Sequence, residues 1–381
     1  MRHLLSFAES QRAWLLDALE ALVRAESPST DKAAVDRCGA ILAAQLQAIG
    51  AEVETVPQRD AGDHIRARFG GRAERPVLML GHFDTVWEVG QLAKMPLRAE
   101  SGRLYGPGIL DMKGGIAVAM QAMRSLQATS PPPPVVMLWT TDEEIGSRTS
   151  RRLIEDEARQ CRAVLVLEPS LPGGAVKTWR KGCGDFHLTV HGVSAHAGIE
   201  PGKGANAVHE LAHQIVAIQA LQDVPRGISV NVTVIAGGSR TNVIADRAQA
   251  SIDARVPTMD DARRIESALS ALTARVPGTR LELTGGFGRP PLERTPAGVA
   301  LYEVAREVAA ELGQSLGEGG TGGGSDGNFT AAIGVPTLDG LGPQGDGPHA
   351  LHEHVSIADL AWRPAFLAGL LTRLCEAKEV Q

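Results

Sequence analysis

Residues 77–86, which read VLMLGHFDTV, decide the fold that we expect for this chain. The continuous apolar run predicts a β-strand that is covered on both faces, as in an α/β protein. Open α/β sheets hold their ligands at the carboxyl ends of such strands, and here that end carries His82 and Asp84. The two side chains point to the same side, so Asp84 can fix the tautomer of a metal-binding His82. Taken alone, this stretch is more typical of a structural histidine that is hydrogen-bonded to a nearby carboxylate than of a metal ligand.

Two further apolar runs also end in acidic residues. Residues 135–141 lead into Glu143 and Glu144, and residues 163–167 lead into Glu168. Other acidic and histidine residues lie in glycine-rich loops, where polar side chains can converge on one cleft. This repetition favours a metal centre over a single structural histidine. The candidate residues of the cleft are His82, Asp111, Glu143, Glu144, Glu168 and His349.

The candidate cluster combines imidazole and carboxylate groups without cysteine, which suits zinc and, less often, cobalt or manganese. Two histidines and three carboxylates are more than one catalytic ion normally takes, so we expect two ions with Asp111 as a shared ligand. Two adjacent ions can activate a water molecule and polarise a carbonyl group together. One of the neighbours Glu143 and Glu144 would bind a metal ion, and the other would act as the general base. Strand alternation alone does not choose between them.

The length of the chain, 381 residues, exceeds what a single core usually supports, so we expect two domains. Residues 1–180 and 290–381 are predicted to form an α/β catalytic domain, with a mixed sheet and helices on both faces. From residue 181 short strands alternate with helices, which predicts an inserted α+β domain of ferredoxin-like type at residues 181–289. Residues 285–291, GGFGRPP, are predicted to form the return crossing.

The composition limits the classes of binding partner and the cellular compartment that we expect. The net charge is −6 and no long Lys/Arg run is present, which argues against nucleic acid as a partner. The four cysteines are scattered without CxxC spacing, as expected of free thiols in a reducing compartment. The N-terminus does not read as a signal peptide, and no apolar run approaches the roughly 20 residues of a membrane span. We therefore expect a cytoplasmic protein that does not act at a membrane.

A series of short motifs resembles the dinuclear zinc aminoacylase and carboxypeptidase family, which includes glutamate carboxypeptidase, acetylornithine deacetylase and succinyl-diaminopimelate desuccinylase. The motifs occur in the order of the family and extend over nearly the whole chain. They are GHFDTV (81–86), GPGILDMKGG (106–115), TDEEIGS (141–147), LEP (167–169), SAHAG (194–198), RTNVIA (240–245), DAR (253–255) and TGGGSD (321–326).

The resemblance implies two zinc sites that share one carboxylate. One set of ligands is His82, Asp111 and Glu168, and the other is Asp111, Glu144 and His349. It also implies that Glu143 is the general base and that Asp84 orients His82.

Two further histidines, His352 and His354, compete with His349 for the role of ligand. In the family the ligand precedes a glutamate by about four residues, which selects His349 before Glu353.

On the substrate side, the resemblance implies that His196 and Asn242 polarise the scissile carbonyl and stabilise its oxyanion. His196 would reach across a homodimer formed by the inserted domains. Arg255 and Arg289 match positions that bind a substrate carboxylate, and Lys177 is a further candidate.

Without the resemblance, Asp253 and Arg255 would be interpreted as an ion pair on a strand.

These expectations together predict a zinc hydrolase that acts on a small N-acyl amino acid or peptide and releases an amino acid with a free α-carboxylate. Glutamate is our first choice for that amino acid, because residues 321–326 and 288–290 resemble glutamate carboxypeptidase more than the deacylases. An N-acyl amino acid deacylase of other specificity is the alternative within the same chemistry. The alternative of a different class is a ligand-binding protein that keeps the fold without catalysis. Loss of a metal ligand or of the base would favour it, and the sequence retains all of them.

Overall fold

The computed structural model describes residues 1–71, 75–129 and 131–376. The helices in this part of the chain are α1 (Arg2–Ser10), α2 (Arg12–Arg24), α3 (Lys32–Ala48), α4 (Gly114–Gln127), α5 (Arg151–Ala158), α6 (Ala207–Gln219), α7 (Met259–Ser270), α8 (Pro296–Glu311), α9 (Gly327–Ala332) and α10 (Asp359–Glu376). The strands are β1 (Glu52–Val56), β2 (His64–Phe69), β3 (Val77–His82), β4 (Arg98–Glu100), β5 (Arg103–Tyr105), β6 (Val135–Thr140), β7 (Ala163–Val166), β8 (Val176–Arg180), β9 (Gly182–His191), β10 (Ser229–Gly237), β11 (Arg247–Val256), β12 (Arg280–Arg289), β13 (Glu318–Thr321), β14 (Thr337–Leu338), β15 (Gly345–Asp346) and β16 (His354–Ser356).

The larger of two compact units comprises Met1–Trp179, Arg294–Gly320 and Ser325–Gln381. Its described residues contain a six-stranded sheet in the order β1-β2-β6-β3-β7-β14. The four strands β6, β3, β7 and β14 are parallel, whereas β1 and β2 are antiparallel at one edge. The carboxyl ends of β3, β6 and β7 therefore meet at one edge of the sheet.

Helices cover both faces of this sheet, which explains the continuous apolar run of β3. Val77 and Met79 point into a core that they share with α1, α2, α3, α4, α8 and α10. Leu78 and Leu80 point into a second core with α5 and α9. The prediction of an α/β fold with a mixed sheet and helices on both faces is thereby confirmed.

The glycine pair after Asp111 allows α4 to begin against the end of β7. A Cβ atom on Gly115 would lie 2.0 Å from the carbonyl oxygen of Leu167. No side chain fits at that distance, so a glycine here lets the helix approach the strand closely. This contact brings the loop of Asp111 next to the strand end that carries Glu168.

The smaller unit comprises Arg180–Glu293 and Thr321–Gly324. In its described residues, a four-stranded antiparallel sheet has the order β10-β11-β9-β12. Helices α6 and α7 cover one face, and the buried Phe186, Leu188 and Val190 of β9 point toward them. The opposite face of β9 is largely exposed, which explains the alternating sequence pattern. The prediction of a second, smaller α+β domain is confirmed.

Residues 285–291 were predicted to form a return crossing, and this prediction is wrong for most of the segment. Residues up to Arg289 instead belong to β12, which pairs with β9 along its length. Gly285 has a φ of 98°, and the register shifts between Phe287 and Arg289. The glycines interrupt the alternation of apolar side chains, and a bulged strand consequently reads as a loop.

The sequence pattern also failed to predict α1 and the short strands β4, β5, β15 and β16. These strands have two or three residues each, which is too short for a periodic pattern to emerge. Among the described residues, no helix is both long enough and apolar enough to cross a bilayer.

Candidate metal centre

The end of β3 and two loops bring three candidate ligands together. Nε2 of His82 lies 3.2 Å from Oδ1 of Asp111 and 3.5 Å from Oε1 of Glu168. His82 is the last residue of β3, and Glu168 follows the neighbouring parallel strand β7. All three side chains are largely buried. They form the first group of the candidate centre.

The other oxygen of Asp111 faces a second group. Nε2 of His349 lies 3.4 Å from Oδ2 of Asp111 and 3.1 Å from Oε2 of Glu144. His349 has a φ of 61°, an uncommon conformation for a residue other than glycine, and such conformations persist where the surroundings fix them. The carboxylate of Asp111 thus lies between the two imidazole rings.

The other two histidines of this segment point elsewhere. His352 is exposed, and its Nε2 lies 3.7 Å from Oδ2 of Asp346. The ring of His354 packs against the ring of Tyr105, with 5.0 Å between the ring centroids. Of the three candidates, His349 is the one that contacts Asp111 and Glu144.

Glu143 and Glu144 lie in a single 3-10 turn after β6. Glu144 contacts His349, which matches the ligand position that the resemblance implies. Glu143 is the other carboxylate of the same turn and is partly exposed, so a water molecule or a substrate can reach it.

Asp84 differs in part from its expected contact with His82. Nδ1 of His82 lies 3.1 Å from the backbone oxygen of Asp84, at hydrogen-bond distance, whereas the nearer carboxylate oxygen lies 3.4 Å away. The Asp84 carboxylate accepts hydrogen bonds from the hydroxyl of Ser29 at 2.7 Å and from the backbone N–H groups of Glu143 and Glu144 at 3.3 and 3.2 Å. Asp84 therefore fixes the turn of the two glutamates as well as the ring of His82.

Electrostatics at the centre favours cations. Burial opposes protonation of His82, but Asp111, Asp84 and Glu168 outweigh it and hold the pKa of His82 well above its usual range. Asp111 and Glu144 raise the pKa of His349 to about 10. A site that draws protons this strongly onto two imidazole rings has a negative potential.

The donor groups fit a divalent cation. Nε2 of His82 is buried and has no well-directed hydrogen bond with any residue that the structure describes. One ligand atom each from His82, Asp111 and Glu144 can be chosen so that all three lie within 4.8 Å of one another. Buried carboxylates that face imidazole nitrogens are costly unless a positive charge compensates them. Nitrogen and oxygen donors without sulfur suit zinc, cobalt or manganese.

Two of the residues predicted to contact substrate lie in neighbouring loops of the smaller unit. His196 is exposed, and its Nδ1 accepts hydrogen bonds from the N–H groups of Gly198 and Ile199, both at 3.1 Å. The ring proton must then sit on Nε2, so His196 is a hydrogen-bond donor. The backbone of Asn242 accepts a hydrogen bond from the N–H of Ala197 at 3.0 Å, which ties the two loops together.

The two candidate arginines, both in the smaller unit, differ in their surroundings. Arg255 forms an ion pair with Asp253 at 2.7 Å. This is the strand ion pair that the sequence suggests when the family resemblance is set aside. Nη1 of Arg255 also lies 2.7 Å from the sulfur of Cys183. Arg289 is largely buried at the end of β12, close to Gly324.

Lys177, the remaining candidate, lies in β8 of the larger unit. Its side chain is buried, and its backbone pairs with that of Asp339.

Sequence reasoning missed two residues that support the centre. The carboxylate of Glu353 is buried and accepts the backbone N–H of Asp111, while Ser29 donates to Asp84. Glu353 had served only to choose among the histidines, and its burial, which marks it as a supporting residue, is visible only in the structure. Ser29 lies 55 residues from Asp84 in the chain, and no spacing rule connects them.

An α/β fold with a histidine and carboxylate cluster beside the carboxyl ends of parallel strands is the arrangement expected of a metallohydrolase. The chain belongs to the peptidase family M20/M25/M40, whose pattern matches residues 78–373. The family is metal-dependent, and the protein is a hydrolase of amide bonds.

Individual relatives agree with this classification. The chain is 30% identical to carboxypeptidase G2 of Pseudomonas sp. (strain RS-16), over 97% of this chain and 92% of that enzyme. It is 31% identical to succinyl-diaminopimelate desuccinylase of Xanthomonas campestris pv. campestris (strain B100), over 88% of this chain and 93% of that enzyme. The fold is similar to that of aminopeptidase PepT from Bacillus cereus ATCC 10987, with a TM-score of 0.79 at 20% identity, covering 96% of this chain and 99% of that chain.

Proposed function

We propose that the protein is a dinuclear zinc hydrolase that releases an amino acid with a free α-carboxylate, with glutamate as the first candidate. One observation carries the proposal: the carboxylate of Asp111 turns one oxygen to His82 and the other to His349. A carboxylate shared in this way suits two cations better than one, because each group of ligands then has its own oxygen.

The two groups described above would each hold one ion. His82 and Glu168 would bind the first, His349 and Glu144 would bind the second, and Asp111 would bind both. When bound, the ions polarise the substrate carbonyl and lower the pKa of an attacking water molecule. Zinc is our first choice, with cobalt or manganese as substitutes, because the donors are nitrogen and oxygen.

Glu143 is the proposed general base. It lies in the same turn as Glu144 and is partly exposed, and both facts support this role. It would take a proton from the attacking water and pass it to the leaving amine. Asp84 would keep this turn in position through the N–H groups of Glu143 and Glu144.

His196 and Asn242 are proposed to stabilise the oxyanion that develops on the scissile carbonyl. The tautomer of His196 supports this role, because Nδ1 is occupied by two N–H groups and Nε2 remains a donor. Arg289 and Arg255 are the proposed partners of the substrate carboxylate. Of these, Arg255 forms an ion pair with Asp253 in this structure. Lys177, whose side chain is buried in the larger unit, stays a weaker third candidate, as it was from the sequence.

The proposed assembly is a homodimer formed by the smaller unit, which we take as a dimerisation and lid domain with the predicted bounds 181–289. Strand β10 is at the edge of its sheet, and Val234 and Ile235 on it are exposed. Val216 on α6 is also exposed. An apolar edge strand is a surface on which a second copy can pair. Such a dimer would let His196 of one copy act at the centre of the other.

The nature of the released amino acid rests on the resemblance to glutamate carboxypeptidase. The similarity to carboxypeptidase G2 covers more of this chain than the similarity to the desuccinylase, 97% against 88%, which supports that choice. We also propose that the protein works in the cytoplasm, since Cys38, Cys161, Cys183 and Cys375 are all free thiols.

A hydrolysis screen on the zinc-loaded protein tests the proposal. Benzoyl-glutamate, benzoyl-leucine and benzoyl-lysine share one acyl group, so differences in kcat/KM report the amino acid alone. The α-amide of benzoyl-glutamate tests the need for the free carboxylate, and folyl-glutamates and acetyl and succinyl amino acids vary the acyl group. We expect benzoyl-glutamate and folyl-glutamates to be cleaved fastest and the α-amide to be a poor substrate.

Other outcomes of the screen are equally decisive. Faster release of leucine or lysine would reject glutamate and favour the deacylase alternative. Absence of hydrolysis of every compound by protein that carries its full metal content would reject the proposed substrate class.

A further inference from the structure

Glu353 accepts hydrogen bonds from the backbone of the loop that carries Asp111. Its side chain is fully buried, and its two carboxylate oxygens accept four hydrogen bonds. Oε1 accepts the backbone N–H groups of Leu110 and Asp111 at 2.9 and 3.1 Å. Oε2 accepts the backbone N–H of Gly108 at 2.8 Å and the indole N–H of Trp87 at 2.9 Å.

These contacts satisfy a stretch of backbone that regular secondary structure does not pair. Buried N–H groups of a loop are costly unless an acceptor reaches them. Only an ionised carboxylate can accept two hydrogen bonds at each of two oxygens and donate none, and hydrogen bonds to a charged acceptor are the stronger kind. The loop at residues 108–111 is thus fixed by one side chain.

Lys113, two residues after Asp111, is a second buried side chain that anchors this part of the chain. Nζ of Lys113 donates to the backbone oxygens of Leu22 and Ala25, both at 2.9 Å, at the end of α2. The chain around Asp111 is therefore anchored at two points, through Glu353 at residues 108–111 and through Lys113 two residues further on.

Glu353 is also close in sequence to His349, which belongs to the second group of candidate ligands. His349 lies four residues before it, and the intervening turn is closed by hydrogen bonds from Ala350 to Gly347 and from Glu353 to Ala350. The short segment that carries His349 is consequently tied to the loop that carries Asp111. A shift of one would move the other.

We propose that Glu353 is a positioning residue that holds the Asp111 loop so that the two oxygens of Asp111 face His82 and His349. The inference rests on the proposed role of Asp111 as a shared metal ligand. It assigns to Glu353 an effect on metal affinity that goes beyond its contribution to folding.

The smaller unit offers a matched control in Glu210. This carboxylate is also fully buried, and it also holds a loop through the N–H groups of Arg275 and Val276 and the hydroxyl of Thr279. Gln214 donates to it as well. Glu210→Gln and Glu353→Gln thus remove the same kind of buried acceptor in two different places.

The test compares these two variants with the wild type as metal-free proteins titrated with Co2+. Isothermal titration gives the affinity and the number of ions, and the visible spectrum of bound Co2+ reports the ligand geometry. In Glu353→Gln the amide NH2 must face N–H donors, so the loop shifts. We expect Co2+ to bind about 10- to 100-fold more weakly, with an altered spectrum. Glu210→Gln should keep the affinity and spectrum of the wild type, although both variants lower the unfolding temperature.

The outcomes separate this inference from the proposed function. A wild type that binds a single ion would overturn the dinuclear proposal. A wild type that binds two ions, together with a folded Glu353→Gln that binds them equally tightly and with the same spectrum, would overturn only the role of Glu353. If Glu353→Gln does not fold, the metal affinity of Trp87→Phe tests the inference instead. This variant removes one of the four hydrogen-bond donors to Glu353 and leaves the carboxylate in place. A weaker affinity in that variant supports the inference, and an unchanged affinity contradicts it.

Discussion

His82 and His349 face opposite oxygens of the same carboxylate. Nε2 of His82 lies 3.2 Å from Oδ1 of Asp111, and Nε2 of His349 lies 3.4 Å from Oδ2. His82 ends a buried strand, whereas His349 lies in a loop with a half-exposed side chain. The sheet therefore fixes the position of the His82 ring. The position of the His349 ring is fixed by the loop that Glu353 connects to Asp111.

Glu143→Gln should strongly slow hydrolysis and leave the metal content unchanged. The amide keeps the size of the side chain but cannot take a proton, and loss of a general base typically lowers kcat by about 10²- to 10⁴-fold. Glu144→Gln should instead lower the metal content, because Glu144 contacts His349. Steady-state kinetics and metal analysis distinguish the two variants. The reverse pattern would exchange the roles of the two glutamates.

Asp84→Asn should weaken metal binding, although Asp84 is not a proposed ligand. Its carboxylate accepts hydrogen bonds from Ser29 and from the backbone of Glu143 and Glu144. An amide NH2 would face one of these donors in either orientation. We expect metal affinity to fall by about 10- to 100-fold. The control is Asp261→Asn, which alters a buried carboxylate of the smaller unit. Equal metal affinity in Asp84→Asn and the wild type would contradict the positioning role.

His64 should make the protein less stable in mild acid. Burial lowers the pKa of His64 below its ordinary value of 6.5, and its ring nitrogens lie 3.0 and 3.1 Å from the hydroxyls of Thr141 and Thr149. As the pH falls below 6.5, the unfolded chain takes up a proton that the folded chain does not. Folding stability is therefore lost by up to about 1.4 kcal/mol per pH unit.

Urea unfolding between pH 7 and pH 5 measures this loss, with chelator present in all samples so that metal release does not contribute. His64→Gln should show a flatter dependence of the free energy of unfolding on pH than the wild type. His3→Gln, which alters an exposed histidine, should match the wild type. Parallel curves for His64→Gln and the wild type would reject the prediction.

The proposed dimer predicts complementation between two inactive variants. Glu143→Gln lacks the base and His196→Ala lacks the oxyanion donor. A mixed dimer has one complete site, which combines Glu143 of one copy with His196 of the other. Random exchange of subunits should restore about one quarter of the wild-type activity, because half of the dimers are mixed and half of their sites are complete. Activity that stays at the level of the separate variants would contradict a shared site.

The sheet and the convergence of the candidate ligands at one of its edges were predictable from local sequence. Val77 to Leu80 face two cores, so each residue of β3 had to be apolar, and His82 marks where the strand leaves them. The same pattern predicted the strands that precede Glu143 and Glu168. Parallel strands share one edge for their carboxyl ends, and this is why the residues that follow them meet.

The contacts that support the ligands were not predictable in the same way. Glu353 and Asp111 are 242 residues apart, and the hydrogen bond between them depends on how two loops pack. A motif can identify Asp84 as a neighbour of His82. The motif cannot show that the Asp84 carboxylate also accepts hydrogen bonds from Ser29 and from the backbone of Glu143. Such contacts arise from tertiary packing, on which residue spacing carries no information.

The number of metal ions bound per chain tests the central claim most directly. Metal-free wild type and Asp111→Asn are dialysed against excess Zn2+ and then against buffer, and the zinc and protein contents are measured. The account predicts two ions in the wild type and no more than one in Asp111→Asn, because a single amide oxygen can face only one of His82 and His349. One ion in the wild type, or two equally retained ions in Asp111→Asn, would contradict a centre built on a shared carboxylate.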